Sequence, residues 1–247
     1  MSKKYVSITI SSINASFKSS GILYGPPGPL VFHSILNALN LKLDKSNINE
    51  GFVLTYLSSE PYVSNNAFKL KSIDRVTVKN AKSLLDRPEG YIKVNLIFSV
   101  DSDYSIDIIE NDIIFNILKL RISGGMLNIE DINIESDINE IKVPFGFTIS
   151  SLEEEFNNVE DFFIDSTIYY RGKKGIKKLM HSGFLILGDA GKENSFYNKE
   201  HYFGEAILEF FHFSKIKGFR MTKEKFLNYS LKTELIDNKF KIKNIGD

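Results

Sequence analysis

Apolar and polar residues alternate in short runs along most of the chain, and a helical spacing interrupts the alternation twice. From Tyr5 to Ile10, Val6, Ile8 and Ile10 alternate with Tyr5, Ser7 and Thr9, which predicts a half-buried first strand. A polar stretch of small residues follows, from Ser11 through Asn14, Ser16, Lys18, Ser19 and Ser20 to Gly21. Gly25-Pro26-Pro27-Gly28-Pro29 then forms a rigid turn, since its prolines carry no amide for a ladder. Leu30 to Leu43 reads as a helix with Leu30, Val31, Ile35, Ala38, Leu39 and Leu41 on a broad apolar side, and Pro29 stands at its first position. Phe52 to Leu57 and Val76 to Val78 are strand candidates. Tyr91 to Val100 is a stronger one, with Ile92, Val94, Leu96 and Phe98 alternating with Lys93, Asn95 and Ile97. A second helix is expected over Ile106 to Leu118, with Ile109, Ile113, Phe115 and Ile117 available to a core. Leu120 to Leu127 is a short strand or turn broken by Gly124 and Gly125, and the strand Ile129 to Ile134 follows.

The order strand, helix, strands, helix, strand suits an α+β, ferredoxin-like sheet better than a doubly wound one. The periodicity weakens from about residue 136. Ser151 to Phe163 has the pattern of an acidic helix, with Ser151 as cap and Glu154 three residues on. Arg171 to Met180 is basic, Gly183 to Leu187 reads as a strand, and Phe203 to Phe213 is apolar and aromatic. The expected organisation is a core over 1–135, an inserted acidic-then-basic segment over 136–180, and closing strand and helix elements over 181–247. No internal repeat or long low-complexity linker is present.

The composition narrows the chemistry. With 247 residues and 43% hydrophobic content, the chain can bury a sizeable core. It has no cysteine, so disulfides and thiolate–metal sites are excluded, and four scattered histidines make a poor metal set. The start, MSKKYVSITI, lacks the apolar core and cleavage site of a secretory signal, and no apolar run has the length of a membrane helix. A soluble cytoplasmic protein is the expectation. The formal net charge is zero, but residues 130–165 carry eleven acidic side chains against Lys142 alone, and 166–232 carry thirteen Lys or Arg against six Asp or Glu. Phosphate binding needs a local positive field, so the neutral total does not exclude a nucleic-acid partner. Mutual neutralisation of the two halves is the alternative.

Signs of catalysis are few. Ser11, Ser12 and Ser16 have no histidine nearby, and no G-x-S-x-G elbow occurs. The proline-rich turn lacks the Lys-Ser/Thr pair and the amides of a phosphate loop. Glu153, Glu154 and Glu155 read as a solvated helix face. His181, His201 and His212 fall in three separate elements without ligand spacing. His33, near the start of the first helix, has no second acid–base group near it in sequence and reads as a capping or packing residue. No cofactor is expected.

Ile10 to Leu43, reading ISSINASFKSSGILYGPPGPLVFHSILNALNLKL, resembles the handle-binding subunit of type I-F CRISPR surveillance complexes, the Cas-five branch within the Csy complex. That resemblance rests on Asn14-Ala15, Ser19-Ser20, Gly25-Pro26-Pro27 and Ala38-Leu39, in order and without gaps. A second match is Leu120-Arg121-Ile122-Ser123-Gly124-Gly125, and a third, thinner one covers Gly183 to Ile186 and Tyr202 to Glu205. The resemblance implies an RNA-recognition-type fold and a non-catalytic, antiviral role: binding the 5′ handle of guide crRNA and capping a backbone filament. The partners it implies are the guide RNA, a backbone filament subunit, a large subunit and target DNA. The physical demands of gripping a single-stranded end agree with it. Asn14, Ser16, Lys18, Ser19 and Ser20 offer donors, while Gly124 and Gly125 beside Arg121 leave room for a phosphate or sugar. With His33 these residues form the expected RNA-contacting set. In related guide-processing ribonucleases a histidine near that place is a general base, so an endoribonuclease using His33 is the alternative. A ligand-binding domain without RNA is a second one.

Overall fold

The computed structural model describes residues 2–17, 25–44, 46–61, 89–151, 176–188 and 204–245. Strand β1 (Ser2–Ser16) leads to helix α1 (Pro29–Asn40), then β2 (Asn47–Pro61), β3 (Glu89–Ser102) and helix α2 (Ile106–Ile117). A small hairpin, β4 (Arg121–Ile122) and β5 (Gly125–Met126), precedes β6 (Asn128–Glu135). β1 lies between β3 and β6, and β2 lies beyond β3, with every pair antiparallel. Val6, Ile8 and Ile10 sit opposite Phe98, Leu96 and Val94, and the last two are opposite Leu54 and Tyr56. This apolar face receives both helices. α1 contributes Phe32, Ile35, Leu36 and Leu39, and α2 contributes Ile109, Ile113 and Ile117; all are buried. The three-and-four spacing is what makes each helix one-sided.

The chain then makes a 3₁₀ turn (Ile138–Glu140), β7 (Lys142–Ser151), β8 (Ile176–Ile186), β9 (Gly204–Arg220), helix α3 (Lys223–Tyr229), β10 (Leu231–Ile236) and β11 (Lys239–Asn244). Here the expectation of an α+β ferredoxin-like fold is corrected. Among the described residues the chain is mostly antiparallel β, with nine strands in one sheet in the order β10-β11-β8-β9-β7-β2-β3-β1-β6. The physical reason lies in β2. One of its edges is taken by β3, while the other is hydrogen-bonded to β7 at Thr55 and Tyr56 and to β10 at Phe52. The sheet therefore does not end at β2 but continues through five more strands. Because β10 returns to β2, the strands β2-β7-β9-β8-β11-β10 form a ring closed by the single pair Leu231↔Phe52.

That curvature wraps the later strands around α1. Ile149, Met180, Phe211, Phe213, Leu231 and Ile242 join the same apolar cluster as Phe32 and Leu39. A second cluster, on the opposite face, gathers Val53, Ile97, Ile141, Val143, Ile216, Met221 and Phe226 under α3. The Gly-Pro turn anchors the start of α1: Pro29 occupies the first turn, Gly28 is the extended N-cap, and Tyr56 Oη donates to Pro27 O at 2.6 Å. Complete burial drives the Tyr56 hydroxyl's pKa up, so it remains a donor. Among the described residues no helix is long and apolar enough to cross a membrane.

His181 on β8 lies beside this turn. Its ring donates from Nε2 to Gly183 O at 2.8 Å and meets Phe184 edge-on. Burial holds its pKa below the ordinary histidine value, although the Gly183 carbonyl pulls the other way. A group whose folded pKa is depressed adds stability that is present above its unfolded value, about 6.5, and lost as pH falls through the folded value. Chemical denaturation between pH 7 and pH 5 should therefore show the wild type losing stability that His181→Gln keeps. Parallel curves for the two proteins would remove His181 as the cause.

Candidate nucleic-acid interface

The end of β1 departs from regular pairing. Its register with β3 shifts between Ser12 and Ala15, which leaves Ile13 and Asn14 exposed while Ala15 and Phe17 turn back into the core. Such a bulge re-aims side chains at the end of a strand. The β4–β5 hairpin docks on this bulge, with Ser16 N donating to Ser123 O at 3.1 Å. The hairpin pairs Arg121 with Met126 and Ile122 with Gly125. Ser123 at φ 45 and Gly124 at φ 90 take the two central positions of a tight hairpin turn whose twist matches the strands.

The two glycines have different surroundings. A Cβ on Gly125 would stand 2.7 Å from Asn14 O and against Ser12 Oγ, so this residue is small because β1 lies against it. Gly124 faces open space, with nothing within 4 Å of where a Cβ would lie. Arg121 is exposed and donates from Nη1 to Gly124 O at 3.1 Å, so it braces the turn.

The structure thus brings Asn14, Ser16, Arg121, Gly124 and Gly125 together from segments far apart in sequence. Lys18, Ser19 and Ser20 lie outside the described residues, as does all of 152–175 except by sequence. His33 belongs to a different neighbourhood. Asn37 Nδ2 lies 2.8 Å from its Nε2, within hydrogen-bond distance, and the ring packs near Phe52 and Phe240. Its half-buried position against β2 and β11 is that of a packing residue. Among the described residues no group of three His, Asp or Glu could hold a metal.

Sequence reasoning missed a polar row on the sheet face opposite α1 and α2. Thr9, Asn95, Thr55 and Thr148 are successive cross-strand partners on β1, β3, β2 and β7, and all four are buried. Asn95 Nδ2 donates to Ser7 Oγ at 3.0 Å and to Thr9 Oγ1 at 3.1 Å. Asn95 Oδ1, Thr55 Oγ1 and Thr148 Oγ1 have no hydrogen-bond partner among the described residues. The alternation of β1 and β3 exposes half of this row, but its alignment with Thr55 and Thr148 needs the strand order.

No family model matches the chain, and no curated protein matches it. The resemblance therefore rests on the sequence motifs themselves: Ile10 to Leu43, Leu120 to Gly125 and, more thinly, Gly183 to Ile186 with Tyr202 to Glu205.

Two substitutions separate packing from turn geometry. Gly125→Ala should destabilise by more than Gly124→Ala. The first must displace β1 backbone, whereas the second only forces a side chain into positive φ, typically about 1 kcal/mol. Urea midpoints at constant slope would measure both, and equal losses would argue against the close approach to Asn14. In the polar row, Thr148→Val removes a hydroxyl that no described residue satisfies. It should leave stability unchanged or raise it by about 1 kcal/mol. A clear loss in the same titration would mean that the hydroxyl is satisfied after all.

Proposed function

We propose that this chain is a non-catalytic RNA-binding subunit of a type I-F-like CRISPR surveillance complex, holding the 5′ handle of guide crRNA and capping the backbone filament. The observation that supports it most is the hydrogen bond from Ser16 N to Ser123 O. It joins the two stretches that carry the strongest resemblance into one exposed edge. There, Asn14 and Arg121 offer side-chain donors, and open space lies beside Gly124. A phosphate or ribose can approach Gly124, whereas Gly125 supports that approach only indirectly, by letting the hairpin lie on β1. On this reading the backbone filament subunit, the large subunit and target DNA are the further partners. The endoribonuclease alternative gains nothing from the geometry, since His33 is engaged by Asn37 and packed among Phe52 and Phe240.

The test is RNA that copurifies with the protein, followed by titration with repeat RNA. Arg121→Ala should weaken repeat-RNA binding roughly tenfold or more, the size of a lost charge-assisted hydrogen bond of about 1.5–3 kcal/mol. Its melting temperature should fall little, because the hydrogen bond it loses within the protein is exposed. Absence of bound RNA, or an Arg121→Ala variant that binds like wild type, would sink this reading. Repeat RNA cleaved by wild type and spared by His33→Ala would favour the nuclease instead.

A further inference from the structure

A second surface, on β7 and β9, has the chemistry of a strand-binding platform. Phe145 stands directly opposite Lys217, and Phe147 opposite Lys215, so the four side chains share one face of an antiparallel pair. Phe145 is 58% exposed, a high figure for a phenylalanine in the middle of a strand. Lys215 Nζ lies 5.4 Å from its ring centroid. Lys215 and Lys217 are both exposed and make no ion pair among the described residues. Near the end of β9, the half-buried Phe219 has Lys225 Nζ of α3 4.4 Å from its ring centroid. The acidic side chains close in sequence are Glu140, already paired with Arg220 at 3.2 Å, Glu209, already paired with Lys241 at 3.1 Å, and Glu224.

We infer that this face binds a single-stranded nucleic acid, with a base stacked on Phe145 and the backbone phosphates neutralised by Lys215 and Lys217. The reasoning is chemical. A flat apolar ring left in water beside unpaired cations suits a ligand that is both planar and anionic. Lys215 and Lys217 are two residues apart on one strand, hence about 7 Å apart along it, and can meet successive charges along a chain. An apolar protein partner would leave both lysines desolvated and unpaired. This inference uses none of the residues of the β1–hairpin edge and stands whether or not that edge binds RNA.

The experiment uses the full chain with fluorescein-labelled fifteen-nucleotide oligo-U RNA and oligo-dT DNA, followed by anisotropy at several salt concentrations. Phe145→Ala should weaken binding roughly tenfold, and Phe145→Tyr should restore it. The double variant Lys215→Ala/Lys217→Ala should reduce the slope of log affinity against log salt by about 1.4, the value for two phosphates of a single strand. Loss on both probes identifies a general strand-binding face, while loss on one alone assigns the face to that nucleic acid. Arg121→Ala, run in parallel, reports on the other surface and should leave these effects in place. Wild-type binding that neither set of variants changes, or no binding of either probe, overturns the proposal. So does Phe145→Ala impairing only the retention of anionic vesicles or of an acidic peptide.

Discussion

Helix α1 can be stable only if the C-terminal strands of the sheet fold back over it, and this requirement shapes the rest of the molecule. Twelve residues are too few to hold a helix in water without packing. α1 lacks a side-chain cap and has no charged residue in its first or last turn to offset the dipole. Its stability has to come from Phe32, Ile35, Leu36 and Leu39, each contributing roughly 1.5–3 kcal/mol on full burial. β1, β3 and β2 can cover only one side of that stripe. β8, β10 and β11 supply the remainder, and they reach it because β10 returns to β2. The bond from Tyr56 Oη to Pro27 O fixes where the helix starts relative to β2, and thus aligns the stripe with both walls.

This dependence explains what could and could not be read along the chain. In α1, β3 and α2 the apolar residues keep a period of two or of three to four, and the expected spans lie close to those observed, whereas β1 runs on from the expected Tyr5–Ile10 through the polar residues Ser11, Ser12, Asn14 and Ser16. In β1 and β3 the polar residues between the apolar ones are buried as well, since the sheet is covered on both faces. β7 to β11 curve, and curvature blurs the period: Phe210 and Phe211 on β9 are both buried although adjacent. In β7, Pro144 and Gly146, residue types that usually interrupt a strand, lie within it. The ferredoxin-like expectation failed at that point because strand order is a property of hydrogen bonding across the chain, and no local pattern reports that β2 would use both edges. The same limit applies to the candidate interface. Asn14, Ser16 and Arg121 could be chosen by residue type, but their meeting depends on a bulge in β1 whose position only cross-strand register defines. Gly124 and Gly125 look alike in sequence, although one faces open space and the other faces the Asn14 carbonyl.

Charge is the other place where position outweighs composition. The acidic run and the basic run could have cancelled across the fold. Among the described residues only Arg220–Glu140, at 3.2 Å, joins one run to the other. That pair has a local reason, since Arg220 sits directly opposite Lys142 and like charges facing each other across strands are unfavourable. Glu130 of the acidic run pairs with Lys93 on β3 at 3.5 Å, and the remaining pairs stay within the C-terminal strands: Lys241 with Glu209, and both Lys232 and Lys243 with Glu234. Two hydrogen-bonded lysines hold the Glu234 carboxyl below its usual range. Lys215 and Lys217 are not drawn into any of these pairs. Their field fades over roughly 8 Å at physiological salt, a distance that covers Phe145 beside them but not the acidic residues of β6, which lies five strands away in the sheet. A chain of zero net charge can therefore present a locally cationic, aromatic face. The relevant quantity for a phosphate chain is the potential at Phe145, set by two side chains on β9, and not the sum over the sequence.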